Sequence, residues 1–224
     1  MLSLYALNTA SSGGDSFLAS TAAIYNHLAA TRPDILHVLA APDWPFDEFF
    51  ENQHHHRPLL HLFPPSAASD HPSSSSSGGG GGGPVFQFSR RPLTGAPFSP
   101  HHPLVPAITE LQAEALDAVH FAAQAVAVCI TLQPGDMEVF NNFAMLHARS
   151  RFVDEGTQRR HMLQLWLRNE EMRWTLPREG KGAEVLERLS WECYGEHEWR
   201  MGRVWDVESS PVELRVKHRR ASCA

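Results

Sequence analysis

The sequence predicts an α+β domain in which short strands carry the core and a few helices pack outside it. Three stretches support this. Residues 160–168 alternate, with His161, Leu163, Leu165 and Leu167 on one side and Arg160, Met162, Gln164 and Trp166 on the other, which is the period of a strand. Met1–Leu7 alternates in the same way. Thr109-Glu110-Leu111-Gln112 is a capping box, opening a helix that carries Leu111, Ala115, Val119, Ala122 and Val126 on one face.

After the first strand, Ser11-Ser12-Gly13-Gly14-Asp15 makes a turn. Ser20 is the expected N-cap of a helix with Ile24 and Leu28 on its face. Pro33 and Asp34 break that helix and open a shorter one through Ile35, Leu36 and Leu39, which Pro42 ends. Residues 43–106 read as irregular apart from a strand over 84–88, and they include Trp44, the run His54-His55-His56 and a tract of Ser73–Ser77 followed by Gly78–Gly83. Ser/Gly runs bury too little apolar surface to offset their ordering entropy. Residues 66–83 are therefore expected to be a disordered insertion inside one domain covering 1–204. Beyond the capped helix, 126–132 predicts a buried strand, Pro134-Gly135-Asp136 a tight turn and Met137–Phe140 the returning strand. A last helix is expected over 183–194, and a weakly ordered tail over 205–224.

Composition narrows the function classes. A chain of 224 residues with 42% apolar and 20% charged residues suits a soluble globular domain. A net charge of −6 argues against nucleic acid as a main partner. The three cysteines, Cys129, Cys193 and Cys223, are widely spaced with no CxxC, which suits free thiols in a reducing compartment. No apolar run approaches the ~20 residues of a membrane span, and no secretory signal is visible. The expectation is a cytoplasmic protein with a small-molecule substrate and neither nucleic acid nor membrane as partner. The three consecutive histidines tempt a metal reading, but they stand beside the low-complexity tract and lack a partner pattern.

The stretch 134–168 carries the chemistry. A loop after Met137–Phe140 is expected to carry His147, five positions beyond Asn142, and Arg160, thirteen residues after His147, starts the next strand. Near the amino terminus stands Gly13-Gly14-Asp15-Ser16, followed by a helix with Ala22, Ala23, Ile24 and Tyr25. In this order and spacing the chain resembles the distal half of the TauD/TfdA (taurine dioxygenase-like) family of Fe(II)/2-oxoglutarate-dependent dioxygenases, over about 1–40 and 85–178.

The resemblance implies a double-stranded β-helix (jelly-roll, clavaminate synthase-like) core with flanking helices. It implies Fe(II) and 2-oxoglutarate as cofactors, and hydroxylation of a small organic substrate coupled to decarboxylation of 2-oxoglutarate to succinate. It makes His147 an iron ligand, and it makes Arg160 and the Ser16 hydroxyl contacts to the 2-oxoglutarate carboxylate. Gln164 shares the strand face of Arg160 and would look into the same cavity, touching the cosubstrate or the primary substrate, at a position where many relatives carry arginine. The chemistry suits these residue types. Iron of this class sits on two imidazoles and a carboxylate with positions left open, and a guanidinium binds a carboxylate through two parallel hydrogen bonds. Arg149 and Asp136 read as structural, and Arg159 as solvated.

One part of the pattern is absent. None of the fourteen histidines is followed two positions later by Asp or Glu, so the family's His-x-Asp/Glu pair is not in this sequence. The resemblance would place that pair a few residues upstream of Met1, leaving the fold incomplete at the amino terminus. Either the reading frame begins further upstream, which the interrupted strand at Met1 favours, or the chain is a shortened, inactive relative with a binding or regulatory role. A jelly-roll of cupin type that does not use 2-oxoglutarate is the third reading.

Overall fold

The computed structural model describes residues 1–47, 54–63, 83–96 and 100–167. In chain order the elements are β1 (Leu2–Asn8), β2 (Ser12–Gly13), β3 (Ser16–Ser20), α1 (Thr21–Thr31), α2 (Pro33–Ala40), β4 (Trp44–Asp47), β5 (His54–Arg57), β6 (Leu60–Phe63), β7 (Gly83–Phe86), α3 (Arg91–Thr94), α4 (Glu110–Val126), β8 (Val128–Ile130), β9 (Met137–Phe140), β10 (Met145–Arg149), β11 (Phe152–Val153) and β12 (His161–Trp166). The mixture of helix and antiparallel sheet agrees with the α+β expectation. The expected helix over 183–194, the tail over 205–224 and nearly all of the insertion lie outside the described residues.

Local chemistry sets the helix ends as expected. The Ser20 hydroxyl accepts from the Ala23 N–H at the start of α1. At α4 both bonds of the capping box form: Gln112 N–H to the Thr109 hydroxyl, and Thr109 N–H to the Gln112 side chain. The buried face of α4 is rotated from the expected one. Leu111 is exposed, whereas Gln112, Ala115, Leu116, Val119 and Ala122 are buried. Holding the cap draws Gln112 inward, where its amide also reaches Asp43. The core joins these helices through Ile24, Leu28, Ile35, Leu39, Leu116 and Val119, with Trp44, Phe46 and Leu59 inserted from the segment that follows.

That segment corrects a second expectation. The described residues of 43–106 hold four strands where only one over 84–88 is expected: β4 pairs with β5, and β6 pairs with β7, both antiparallel. Trp44 and Phe46 are fully buried, and the Trp44 indole N–H donates to the Val38 carbonyl at 3.0 Å. Gly83, assigned to the insertion from sequence, opens β7 opposite Phe63. The histidine run forms β5, with the His55 ring stacked on Phe46 at 5.6 Å. These strands are short and interrupted by proline and histidine, so alternation alone does not reveal them.

His61 sits in β6, 8% exposed, with no hydrogen-bond partner for Nε2. Burial, and then the nearby Arg57 guanidinium, push its pKa down to about 4 from 6.5. The unfolded chain therefore takes up this proton at a higher pH than the native protein. Stability from this group is full above pH 6.5 and is lost as pH falls towards 4. At pH 5 the loss is about 2 kcal/mol. Urea unfolding at pH 7 and pH 5 should show it, and His61→Leu should remove most of the difference.

Two three-stranded antiparallel sheets position the site. The first has the order β12-β1-β9, and the second β10-β3-β8. Residues directly opposite across a pair point to the same side. In the first sheet Leu4 lies between Gln164 and Glu138, and Leu2 between Trp166 and Phe140. One face therefore carries Glu138, Phe140, Met162, Gln164 and Trp166, and the other carries Met137, Val139, Leu163 and Leu165. In the second sheet Ser16 lies between Arg149 and Ile130, and Leu18 between His147 and Val128. Ala19 and Leu146, on the reverse side, join the helical core. The expected buried strand over 126–132 shrinks to β8, an edge strand in which Val128 and Cys129 are exposed. Its residues are β-formers, but α4 runs on to Val126 and nothing among the described residues covers the outer side.

Candidate active site

The glycine turn lines the cleft that Arg160 borders. Gly13 pairs with Phe152 across β2 and β11 and has φ +68°; a Cβ there would lie 2.1 Å from the Arg151 carbonyl oxygen. That contact is with backbone and cannot be relieved by a rotamer change. Gly13→Ala should cost at least about 2 kcal/mol in urea unfolding, from strain and clash together. Gly14 has φ +87° and leaves room for Arg160: a Cβ would lie 3.3 Å from the Arg160 Nε. The Gly14 and Asp15 N–H groups both donate to the Ser150 hydroxyl at 2.9 Å, so the turn is tied to the end of β10.

Arg160 stands one residue ahead of β12 rather than inside it, because its N–H is taken by the Asp154 carboxylate at 2.9 Å and not by a strand partner. Its guanidinium is half-buried and makes no ion pair among the described residues. It lies 5.7 Å from the centre of the Phe152 ring, and the Arg149 guanidinium lies 4.3 Å from the same ring. Burial, and then Arg149, lower the Arg160 pKa, while Asp154 opposes them. Arginine remains charged regardless. Two like charges thus stand at one aromatic ring, with Asp154 the acidic group acting on Arg160. Arg160 also borders a cleft of about 220 Å³ with Gly13, Gly14, Asp15, Thr131 and Met162.

His147 lies in β10, not in a loop. Asn141, at the preceding bend, accepts the N–H groups of Ala144 and Met145 and so starts the strand two residues earlier. His147 is on the same face as Arg149, two positions on, and as Ser16 on the neighbouring strand. His147 is exposed, and its ring stands against that of Phe140, centres 5.3 Å apart. This packing lowers its pKa against the pull of the Glu138 carboxylate. The lowered pKa favours the neutral imidazole, the form a metal needs.

Ser16 opens β3 and is buried, and its hydroxyl donates to Glu138 Oε2 at 2.7 Å, bridging the two sheets. Gln164 does share the inner face of the first sheet, but it is exposed. Sequence reasoning placed Glu138 in a strand without assigning it a role. Its alternation with Phe140 was the available signal, since it sets an acidic side chain on a face otherwise apolar at that strand. Arg149 reads as structural from sequence; its closeness to Arg160 depends on the fold of 150–160 and has no sequence signature.

The model of the taurine catabolism dioxygenase TauD, TfdA family matches residues 1–166. The chain belongs to this family. The taurine hydroxylase-like protein SAT17 of Stachybotrys chartarum is 34% identical over 179 residues, covering 79% of this chain and 42% of that protein. Among solved structures, an asparagine oxygenase in complex with Fe(II), 3-hydroxyasparagine and succinate superimposes with a TM-score of 0.49 at 17% identity, covering 73% of this chain and 43% of that one. The PvcB protein of Pseudomonas aeruginosa gives a TM-score of 0.47 at 15% identity, covering 76% of this chain and 52% of that one. Membership in the TauD/TfdA family rests on the two sequence matches. The chain spans about two fifths of the length of the curated relative it matches. No helix of the described residues is long and apolar enough to cross a membrane.

Proposed function

We propose that the chain is the distal part of an Fe(II)/2-oxoglutarate-dependent dioxygenase that hydroxylates a small organic substrate and turns 2-oxoglutarate into succinate. In this reading the two sheets belong to a double-stranded β-helix within a single domain over 1–204, and the protein works in the cytoplasm. The observation that carries the proposal is the Arg160 guanidinium. It has no carboxylate partner among the described residues, borders a cleft of about 220 Å³ and lies beside Arg149, which shares a strand face with His147. A dicarboxylate supplies the missing counter-charge: one end pairs with Arg160, and the other can reach a metal held in part by His147. Gln164 stands on the inner face as a contact for the primary substrate. Bound iron would supply the activation of oxygen.

The fit to the two cofactors differs. The cleft and Arg160 suit 2-oxoglutarate. For iron, no three His, Cys, Asp or Glu side chains come together among the described residues. His147 supplies one ligand of the facial set, and the sequence holds no His-x-Asp pair for the others. That incomplete set favours a second reading, a protein on this scaffold that binds 2-oxoglutarate without turning it over. Incubation with Fe(II), 2-oxoglutarate and oxygen across a panel of small substrates, with succinate measured by mass spectrometry, separates them. Succinate that is lost in Arg160→Ala supports catalysis. Binding without succinate supports the second reading, and absence of both refutes the proposal.

A further inference from the structure

We propose that Glu138 is a specificity-determining residue that withholds the Ser16 hydroxyl from the carboxylate bound at Arg160. The inference rests on the reading of Ser16 and Arg160 as the cosubstrate wall. Ser16 has one hydroxyl proton, and it is donated to Glu138 Oε2 at 2.7 Å, with the two residues only 6% and 7% exposed. The other oxygen, Oε1, is buried and has no hydrogen-bond partner among the described residues. A serine whose proton is committed offers an arriving carboxylate only lone pairs. Behind it stands a second carboxylate, whose repulsion is poorly screened at a buried position.

The wall is therefore divided. Arg149 and Arg160 stand by the Phe152 ring, with Arg149 opposite Ser16 in the strand pair, while the Glu138 carboxylate takes the Ser16 hydroxyl from the other sheet. An oxo-acid carboxylate binds at the arginine end and gains no bond from Ser16. Glutamine at position 138 keeps the shape and removes the charge. Its amide can donate to the Ser16 oxygen, which frees the hydroxyl proton for the ligand. The Ser16–Glu138 bond also ties the two sheets together, so a structural role must be separated from a recognition role.

The test titrates the full chain with 2-oxoglutarate and reads the dissociation constant by ligand-observed NMR, with thermal melts as a folding control. Glu138→Gln should tighten binding by about tenfold to a hundredfold, the range for a hydrogen bond to a charged group. Ser16→Ala should change the wild type by less than about twofold, yet erase the gain in the Glu138→Gln background, because only there is the hydroxyl free. The inference is overturned if Glu138→Gln binds no tighter than wild type. Should that variant melt early, Ser16→Ala in the wild type decides alone, and a tenfold loss there overturns the inference. Arg160→Ala separates this from the cosubstrate reading. Loss of binding in Arg160→Ala, with no gain in Glu138→Gln, sinks the role of Glu138 and keeps the reading of Arg160. A gain in Glu138→Gln that Arg160→Ala does not touch does the reverse.

Discussion

Arg160→Ala is expected to weaken 2-oxoglutarate binding about a hundredfold, with little change in stability. The guanidinium is half-buried, is desolvated in part by the glycine turn, and has no carboxylate partner among the described residues. Two parallel charge-assisted bonds to a carboxylate are worth roughly 3 kcal/mol in such a setting, which is about two decades in affinity. Stability should hold, because removing a cation that has no ion pair and stands beside Arg149 also relieves a repulsion. Calorimetric titration with the oxo acid measures the first effect, and urea unfolding the second. Arg160→Lys should recover only part of the affinity, because a point charge cannot form the planar pair. An unchanged affinity in Arg160→Ala would favour a jelly-roll protein that does not use 2-oxoglutarate.

The second large effect is at His147. His147→Ala should remove divalent-metal binding in the neutral pH range, followed by the visible absorption of Co(II) as a stand-in for Fe(II). No three His, Cys, Asp or Glu side chains come together among the described residues even with His147 present, so binding rests on this one imidazole and no neighbour replaces it. The pKa of His147 is lowered by packing against Phe140, so the wild type should keep its metal to a more acidic pH than an exposed histidine would allow. Phe140→Ala should release that packing and move the acid limit upward. Metal retained by His147→Ala would remove the ligand assignment.

The regular elements were legible where a local rule decides them. Ser20 and the Thr109/Gln112 box fix two helix starts by hydrogen bonds within four residues, and both form. The strands at 2–8, 137–140 and 161–166 follow from alternation, because one face of each meets the space between the sheets. What failed depends on distant partners. Trp44 and Phe46 are buried with residues of α2, β6 and β7, and β6 and β7 pair across the Ser/Gly tract, so the strands of 43–63 have no period visible in a local window. Leu111 points outward because Gln112 is committed to the cap and to Asp43, a competition that hydrophobic periodicity does not register. At the candidate site, His147, Ser16 and Arg160 come from residue types at fixed spacing. Their relation to Glu138 and Arg149 comes only from register: Glu138 faces Ser16 because β9 and β3 lie in opposing sheets, and no local window contains both.

The central claim is that His147 and Arg160 serve one bound pair, a metal and a dicarboxylate. Anaerobic addition of Fe(II) and 2-oxoglutarate, read as the visible charge-transfer absorption of their complex, tests it most directly. The wild type should develop the band, and either His147→Ala or Arg160→Ala should remove it at the same concentrations. A wild type without the band, or a band of equal strength in both variants, contradicts the claim.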